Sequence, residues 1–462
     1  LALGAQALVL RALTIFAHVE PAPLVAAALF GIGILGAAFL LAWAAEVAEL
    51  DVSASLALAF VALIAVLPEY AVDMYFAWQA GQHPEPFLDP VTGRLIDYGS
   101  YAVANMTGAN RLLVGFGWPL IVLVYLLTRH RAALRLRGND RVVTPLPGEP
   151  PRFARWRFTL QLERTLSLEV TFLLLATLYA FIIPAMGEIA WWDSFVFVGL
   201  FAVYIWLSSR TAKQEPELVG PAATIGSLPT RARRTLVVGL FLFAGLVILG
   251  GAEPFAEGLL GTGRQFGINE FLLVQWLAPL ASESPEILVA VILTLRGDAA
   301  AAMTALISSK VNQWTLLVGT LPVVYSVSLG DVAGLPMDAV QREEVLLTAA
   351  QSLFAVAILA RMRVGWVAAL ALLGLFLGQL FSPVYTASEA ESTHVRYLFS
   401  YAYLALAVAL VALDRVRLVS LAQMGRTVAR MARGQGVPEA EEAAPQRRAG
   451  PAAHGAEDDP PP

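Results

Sequence analysis

The chain has 462 residues, 58% of them hydrophobic, a mean hydropathy of +0.66 and only 15% charged residues, against roughly 25% in an ordinary soluble domain. A formal net charge of −5 and the lack of any basic stripe interleaved with aromatics exclude a nucleic-acid partner. With no cysteine, disulfides, thiolate metal sites and cysteine nucleophiles are excluded as well.

In chain order, a weak apolar run over 5–17 reads as an interfacial helix. Eleven runs of membrane-spanning length then follow near 24–47, 53–80, 99–127, 167–185, 194–210, 234–251, 268–296, 299–328, 343–361, 364–381 and 396–414. No cleavable signal peptide is read at the N-terminus, which begins with leucine. The expected class is an all-α integral membrane protein whose partners are the lipid bilayer and inorganic cations. Arginines cluster in 129–165, in 210–234 (with Lys213), at Arg361 and Arg363, and from Arg415 to Arg433. Under this span list all four clusters fall on one side, so the bias of basic residues places the N-terminus outside and the C-terminus in the cytoplasm. Alanine- and arginine-rich usage suggests a bacterial inner membrane. The segment LAQMGRTVARMARG could lie on anionic lipid. The Pro/Ala/Glu/Arg tail beyond it reads as disordered.

The expected organisation is an N-terminal region and first repeat core over 1–128, an Arg/Pro-rich cytoplasmic loop over 129–166, the end of the first repeat and a linker over 167–233, and a second repeat over 234–385. An additional span over 394–414 and a juxtamembrane segment and tail over 415–462 complete it.

Two spans carry charge where lipid-facing helices do not. LIAVLPEYAVDMYFAWQAG aligns with PLASESPEILVAVILTLRG on Pro68-Glu69 and Pro285-Glu286, and the spans after them, YAVANMTGANRLLVGFGWPLIVLVY and AAAMTALISSKVNQWTLLVGTLPVVY, also match. Five spans separate the matching elements; five is odd, so the second copy is inserted upside down. Inverted repeats with proline-interrupted helices at matching places point to the binding site of a secondary transporter. The proline is expected to break its helix and free backbone carbonyls, which persist at membrane depth only if protein or an ion satisfies them. A carboxylate beside them makes an oxygen cage suited to Ca²⁺, Na⁺ or protons.

These motifs resemble those of the cation/calcium exchanger superfamily, which includes the sodium/calcium exchangers. Its two inverted α-repeats each carry G-T-S-x-P-E followed by G-N-x-x-G-S-N. The resemblance covers roughly 24–385. It implies two inverted five-helix repeats, ten core helices, here with an extra C-terminal helix. It also implies cation-ligating carboxylates at Glu69 and Glu286, amide ligands at Asn105 and Asn110, and hydroxyls at Ser282, Ser308 and Ser309. The chain departs from the pattern at Ile64-Ala65-Val66, which replaces the first G-T-S. Glu283 replaces a serine, and Lys310 replaces the last asparagine of the second repeat.

Each half thus brings two acids and one base: Glu69, Asp73 and Arg111, against Glu283, Glu286 and Lys310. Arg111 is expected to pair with Asp73. Lys310 is one of two lysines in the chain. It reads either as a fixed ammonium paired with Glu283, standing in for a sodium ion, or as a proton-coupled group, since a buried lysine can release its proton where arginine cannot. Glu46, Glu49, Glu253 and Glu257 are candidates for an access path. With five histidines lying near ends or in loops and no nucleophile–base spacing or phosphate loop, an enzyme is disfavoured. The expected function is a cation antiporter exchanging Ca²⁺ or a related cation for Na⁺ or H⁺, with no resident cofactor. The alternative is a degenerate exchanger acting as a scaffold or sensor.

Overall fold

The computed structural model describes residues 1–48, 50–51, 67–88, 93, 95–138, 159–162, 166–210, 218, 220–386 and 388–433. Helices dominate, as the membrane requires of chains that must satisfy their own backbone. They are α1 (Ala2–Phe16), α2 (Pro23–Ala48), α3 (Leu67–Gln82), α4 (Tyr98–Leu112), α5 (Trp118–Gly138), α6 (Ser167–Ala180), α7 (Ile183–Met186), α8 (Trp191–Ser208), α9 (Pro221–Gly226) and α10 (Thr230–Phe266). Then come α11 (Glu270–Arg296), α12 (Ala299–Asn312), α13 (Val318–Leu329), α14 (Ala339–Leu359), α15 (Trp366–Leu380), α16 (Ser382–Tyr385), α17 (Glu389–Leu413) and α18 (Val416–Ala432). Seven helices among the described residues are long and apolar enough to cross a membrane. The continuous run α12–α13 and the helix α14 are not among them; they carry Lys310 and the Glu343–Glu344 pair, polar cargo that lowers hydropathy. The expected 129–166 loop, the start of the second span at 53–66, Glu49 and the tail beyond 433 lie wholly or largely outside the described residues.

The two inverted five-helix repeats are visible in one local irregularity. Leu113–Gly117 and Gln313–Leu317 are π-helical turns joining α4 to α5 and α12 to α13. Each begins three residues after the matched positions Asn110 and Lys310. A π turn inserts one residue into the helical ladder and is often found at functional sites.

Close helix contacts depend on small residues. The long helices α2 and α10 pack side by side, and a Cβ on Gly258 would stand 2.6 Å from the Ala27 backbone nitrogen. The N-terminal helix is not merely interfacial. It packs on both, with Ala7 buried beneath Gly33 and Gly4 under the Phe243 ring, and Arg11 pairs with Glu253 of α10.

Short antiparallel pairs join loops of the two halves. β4 (Glu188–Ile189) pairs with β5 (Leu335–Pro336), and β3 (Thr159–Gln161) with β6 (Arg363–Gly365). A hairpin of β1 (Phe87–Leu88) and β2 (Leu95–Ile96) leads into α4. At the arginine-rich end, Asp51 accepts from Arg233 Nε and Nη2 at 2.7 and 2.8 Å, tying the chain just past α2 to the start of α10.

Candidate cation site

The helix that carries Ser282-Glu283-Ser284-Pro285-Glu286 does not break. Against expectation, α11 runs unbroken through Pro279 and Pro285. Each proline lacks one N–H, so the carbonyls of Gln275 and Ala281, four residues back, lose their helical donors. Serines work on neighbouring carbonyls: Ser282 Oγ donates towards Pro279 O at 3.2 Å and Ser284 Oγ donates to Leu280 O. The freed Gln275 carbonyl is where α4 comes closest. A Cβ on Gly108 would lie 1.8 Å from it, so only glycine permits this crossing.

That crossing brings the repeats together. Glu69 of α3 adjoins Glu283 and Ser282 of α11, and Glu286 adjoins Ser309 of α12 and shares Glu69 as a charged neighbour. Glu69 and Glu283 are buried, at 1% and 0% exposure, whereas Glu286 is partly exposed. The lipid-facing stripe of α11 runs through Leu277, Leu280, Ser284 and Leu288. Glu286 lies two residues from both Ser284 and Leu288, on the opposite face.

Two expected pairings are corrected. Asp73 does not hold Arg111; it accepts from Asn105 Nδ2 at 3.0 Å. Arg111 pairs instead with Glu344 of α14, both fully buried, and lies 4.9 Å from the Trp276 ring centroid. Lys310 does not bond Glu283. Its Nζ donates to Asn110 Oδ1 at 2.7 Å and lies 4.5 Å from the centroid of Trp314, while Glu283 accepts from Gln313 Nε2. The reason is geometric. Asn110 and Lys310 occupy matched positions beside the two π turns, so they meet where the repeats meet.

Two expected ligands are engaged elsewhere. The Asn110 amide is used on both atoms, by Lys310 and by donation to Met106 O at 2.8 Å. Ser308 faces Tyr204 of α8. Of the candidate access residues, Glu253 is paired with Arg11, and Glu257 accepts from the phenols of Tyr75 at 2.6 Å and Tyr98 at 3.1 Å.

What remains is a set of oxygens with no donor. Among the described residues, one carboxylate oxygen each of Glu69, Asp73 and Glu283 and the amide oxygens of Asn105, Asn312 and Gln313 are buried without a hydrogen-bond partner. Buried polar atoms are ordinarily satisfied, and oxygens without donors suit a hard cation. Among the same residues no three acidic or imidazole groups close on one point, so amides, hydroxyls or water would complete any ion's shell. Sequence reasoning missed Asn312, Gln313, Glu343, Glu344 and Arg396. The signal for the first two was available: consecutive amides in an apolar run, beginning two residues after Lys310.

The described frame agrees with known proteins. The family model for sodium/calcium exchanger proteins matches residues 22–210 and 236–385. The crystal structure of the H⁺/Ca²⁺ exchanger CAX is 44% identical, superposes with a TM-score of 0.79, and aligns over 94% of this chain and 97% of its own. Native YfkE shares the fold, with a TM-score of 0.56 at 14% identity over 88% of this chain and 99% of its own. Among curated proteins no match is found. The chain is an integral membrane protein of the sodium/calcium exchanger family.

Proposed function

We propose that this protein is a secondary antiporter exchanging Ca²⁺ for protons by alternating access. The observation that carries the reading is the meeting of Glu69 with Glu283 and Glu286 at the crossing of two inverted proline-bearing helices, among oxygens that lack donors. Ca²⁺ would take carboxylate oxygens of Glu69 and Glu286, with Asn105, Ser282, Ser309, Asn312 and Gln313 as neutral donors. Protons on the same carboxylates would neutralise them for the return step.

Protons are favoured over Na⁺ on two grounds. Ala65 and Val66 lack the two side-chain hydroxyls that the superfamily's first G-T-S supplies. The 44% identical CAX structure is that of an H⁺/Ca²⁺ exchanger. Lys310 is assigned to proton coupling, since arginine would keep the charge and lose the release. Lys310→Arg that retained full pH-driven exchange would reject that role. The arginine distribution supports an orientation with the N-terminus outside and the C-terminus in the cytoplasm, and the alanine- and arginine-rich usage supports a bacterial inner membrane. The deciding experiment is Ca²⁺ uptake by proteoliposomes under an imposed pH gradient and, separately, an imposed Na⁺ gradient. Uptake driven by pH alone is expected; uptake driven by Na⁺ alone refutes proton coupling.

A second reading draws on the ammonium of Lys310 lodged between the repeats. It would make the chain a non-transporting scaffold. In that case Glu286→Gln changes stability while no Ca²⁺ flux exists to be lost.

A further inference from the structure

The added C-terminal helix α17 reaches the centre of the molecule through charges that the proposed cycle does not use. Glu343 and Glu344 are consecutive on α14 and both fully buried. Two adjacent buried carboxylates need cations close at hand, because unpaired buried charge is costly. Arg396 of α17 supplies one. Its Nε donates to Glu343 Oε2 at 2.8 Å and stands 3.2 Å from Glu344 Oε1, while its terminal nitrogens donate to Ser392 at 3.0 Å and Thr393 at 3.2 Å. Arg111 of α4 supplies the other through its ion pair with Glu344. Arg111 follows Asn110 directly, and Asn110 holds Lys310. A continuous line of contacts therefore runs from α17 through α14 to the place where the repeats meet.

A membrane anchor has no need of this. The outer face of α17 is open and apolar, with Leu398 and Val408 more than half exposed. Packing alone would be served as well by an apolar side chain at 396, because a buried ion pair rarely stabilises more than well-packed hydrophobic residues. The four charges cancel as a set. Removing one leaves the others to rearrange around Arg111, the member attached to the candidate site.

We propose that Arg396 is a positioning residue for transport. Through Glu343, Glu344 and Arg111 it fixes the turn of α4 that presents Asn110 to Lys310, and so couples the C-terminal helix to the cation site. Without Arg396 the two glutamates share one guanidinium, Arg111 is drawn towards both, and Asn110 shifts with it. The role rests on the antiporter reading, and its test has one arm that does not.

The first arm measures Ca²⁺ uptake in proteoliposomes for the wild type, R396Q, E343Q and R396Q/E343Q, each verified as monodisperse after purification. R396Q is expected to lose about tenfold or more in maximal rate, a step of roughly 1.4 kcal/mol. R396Q/E343Q leaves the Arg111–Glu344 pair balanced and is expected to recover most of that rate. A helix-packing role for Arg396 would give no such rescue. The second arm measures melting temperatures for R396Q, N110A and the double variant. Linked residues give a combined fall smaller than the sum of the single falls; independent ones add. A double variant R396Q/E343Q no faster than R396Q, or additive melting shifts, overturns the proposal. A wild type that moves no Ca²⁺ under a pH gradient rejects the antiporter reading instead, and the melting cycle then decides the linkage by itself.

Discussion

Gly108→Ala tests the crossing on which the site depends. The added methyl would meet the carbonyl oxygen of Gln275 at 1.8 Å and its carbonyl carbon at 2.8 Å. Both are backbone atoms of α11, so no side chain can rotate away. Regaining a contact distance of ~3.5 Å means opening the crossing by roughly 1.7 Å. Overpacking of this kind costs about 1–3 kcal/mol in cores that can adjust, and two rigid helix backbones put this site at or above the top of that range. Asn105 and Asn110 ride on the same helix, one turn or less from Gly108, and their partners Asp73 and Lys310 lie on other helices. Misplacement by about 1 Å at a reacting centre costs on the order of a hundredfold in rate. The expected result is a clear fall in melting temperature in detergent and Ca²⁺ uptake near background. Gly117→Ala is the control, because a Cβ there meets nothing closer than 3.6 Å. A Gly108→Ala protein that melts and transports like the wild type, with Gly117→Ala, would refute the tight crossing.

Glu69→Gln and Glu286→Gln preserve shape while removing the charge a divalent ion needs. Both are expected to abolish Ca²⁺ uptake with melting temperature held or raised, and retained uptake in either removes that residue from the ligand set. At the arginine-rich end, hydrogen bonding to Arg233 holds the Asp51 carboxyl down to about 2, below its ordinary value of 3.8. A depressed folded-state value gives stability that is present above about pH 4 and lost as pH falls through about 2. Asp51→Asn should therefore melt below the wild type at neutral pH, with the gap closing under acid. A gap independent of pH would mean that Asp51 contributes by packing and not by charge.

The spans are legible because a bilayer demands long apolar runs, and those runs are punctuated here by arginines. The repeat is legible because Pro-Glu recurs in two apolar stretches where neither residue is expected. Partners are less legible. Arg111, Glu344 and Arg396 come from three separate helices, so no period or spacing within one segment records their contact. Glu343 and Glu344 stand at the start of the span expected over 343–361, and only the packing of α17 over them shows that they are buried. The unbroken course of α11 is likewise a tertiary result. Proline removes donors from Gln275 and Ala281, and close packing by α4 together with the local serines makes a continuous helix tolerable.

The two halves are not equivalent in what they bring to the crossing. The first repeat holds the Asp73–Asn105 pair; at the matched positions the second has Ala290 and Ala305. The second repeat holds Glu283, Lys310 and Gln313, where the first has Val66, Asn110 and Leu113. Only Glu69 and Glu286 occur in both, so each half supplies polar groups where the other is apolar or neutral. This separates two roles for Asn105. Asn105→Ala leaves Asp73 buried with no donor, at about 1–3 kcal/mol or more, whereas Asp73→Ala/Asn105→Ala reproduces the alanines that the second repeat already accommodates. Stability should recover in the double variant relative to Asn105→Ala. Ca²⁺ uptake should not, because the free Asn105 amide oxygen is then gone as a ligand. If uptake returned together with stability, Asn105 would serve only to hold Asp73, and the cation would have to draw that oxygen from Asn312 or Gln313.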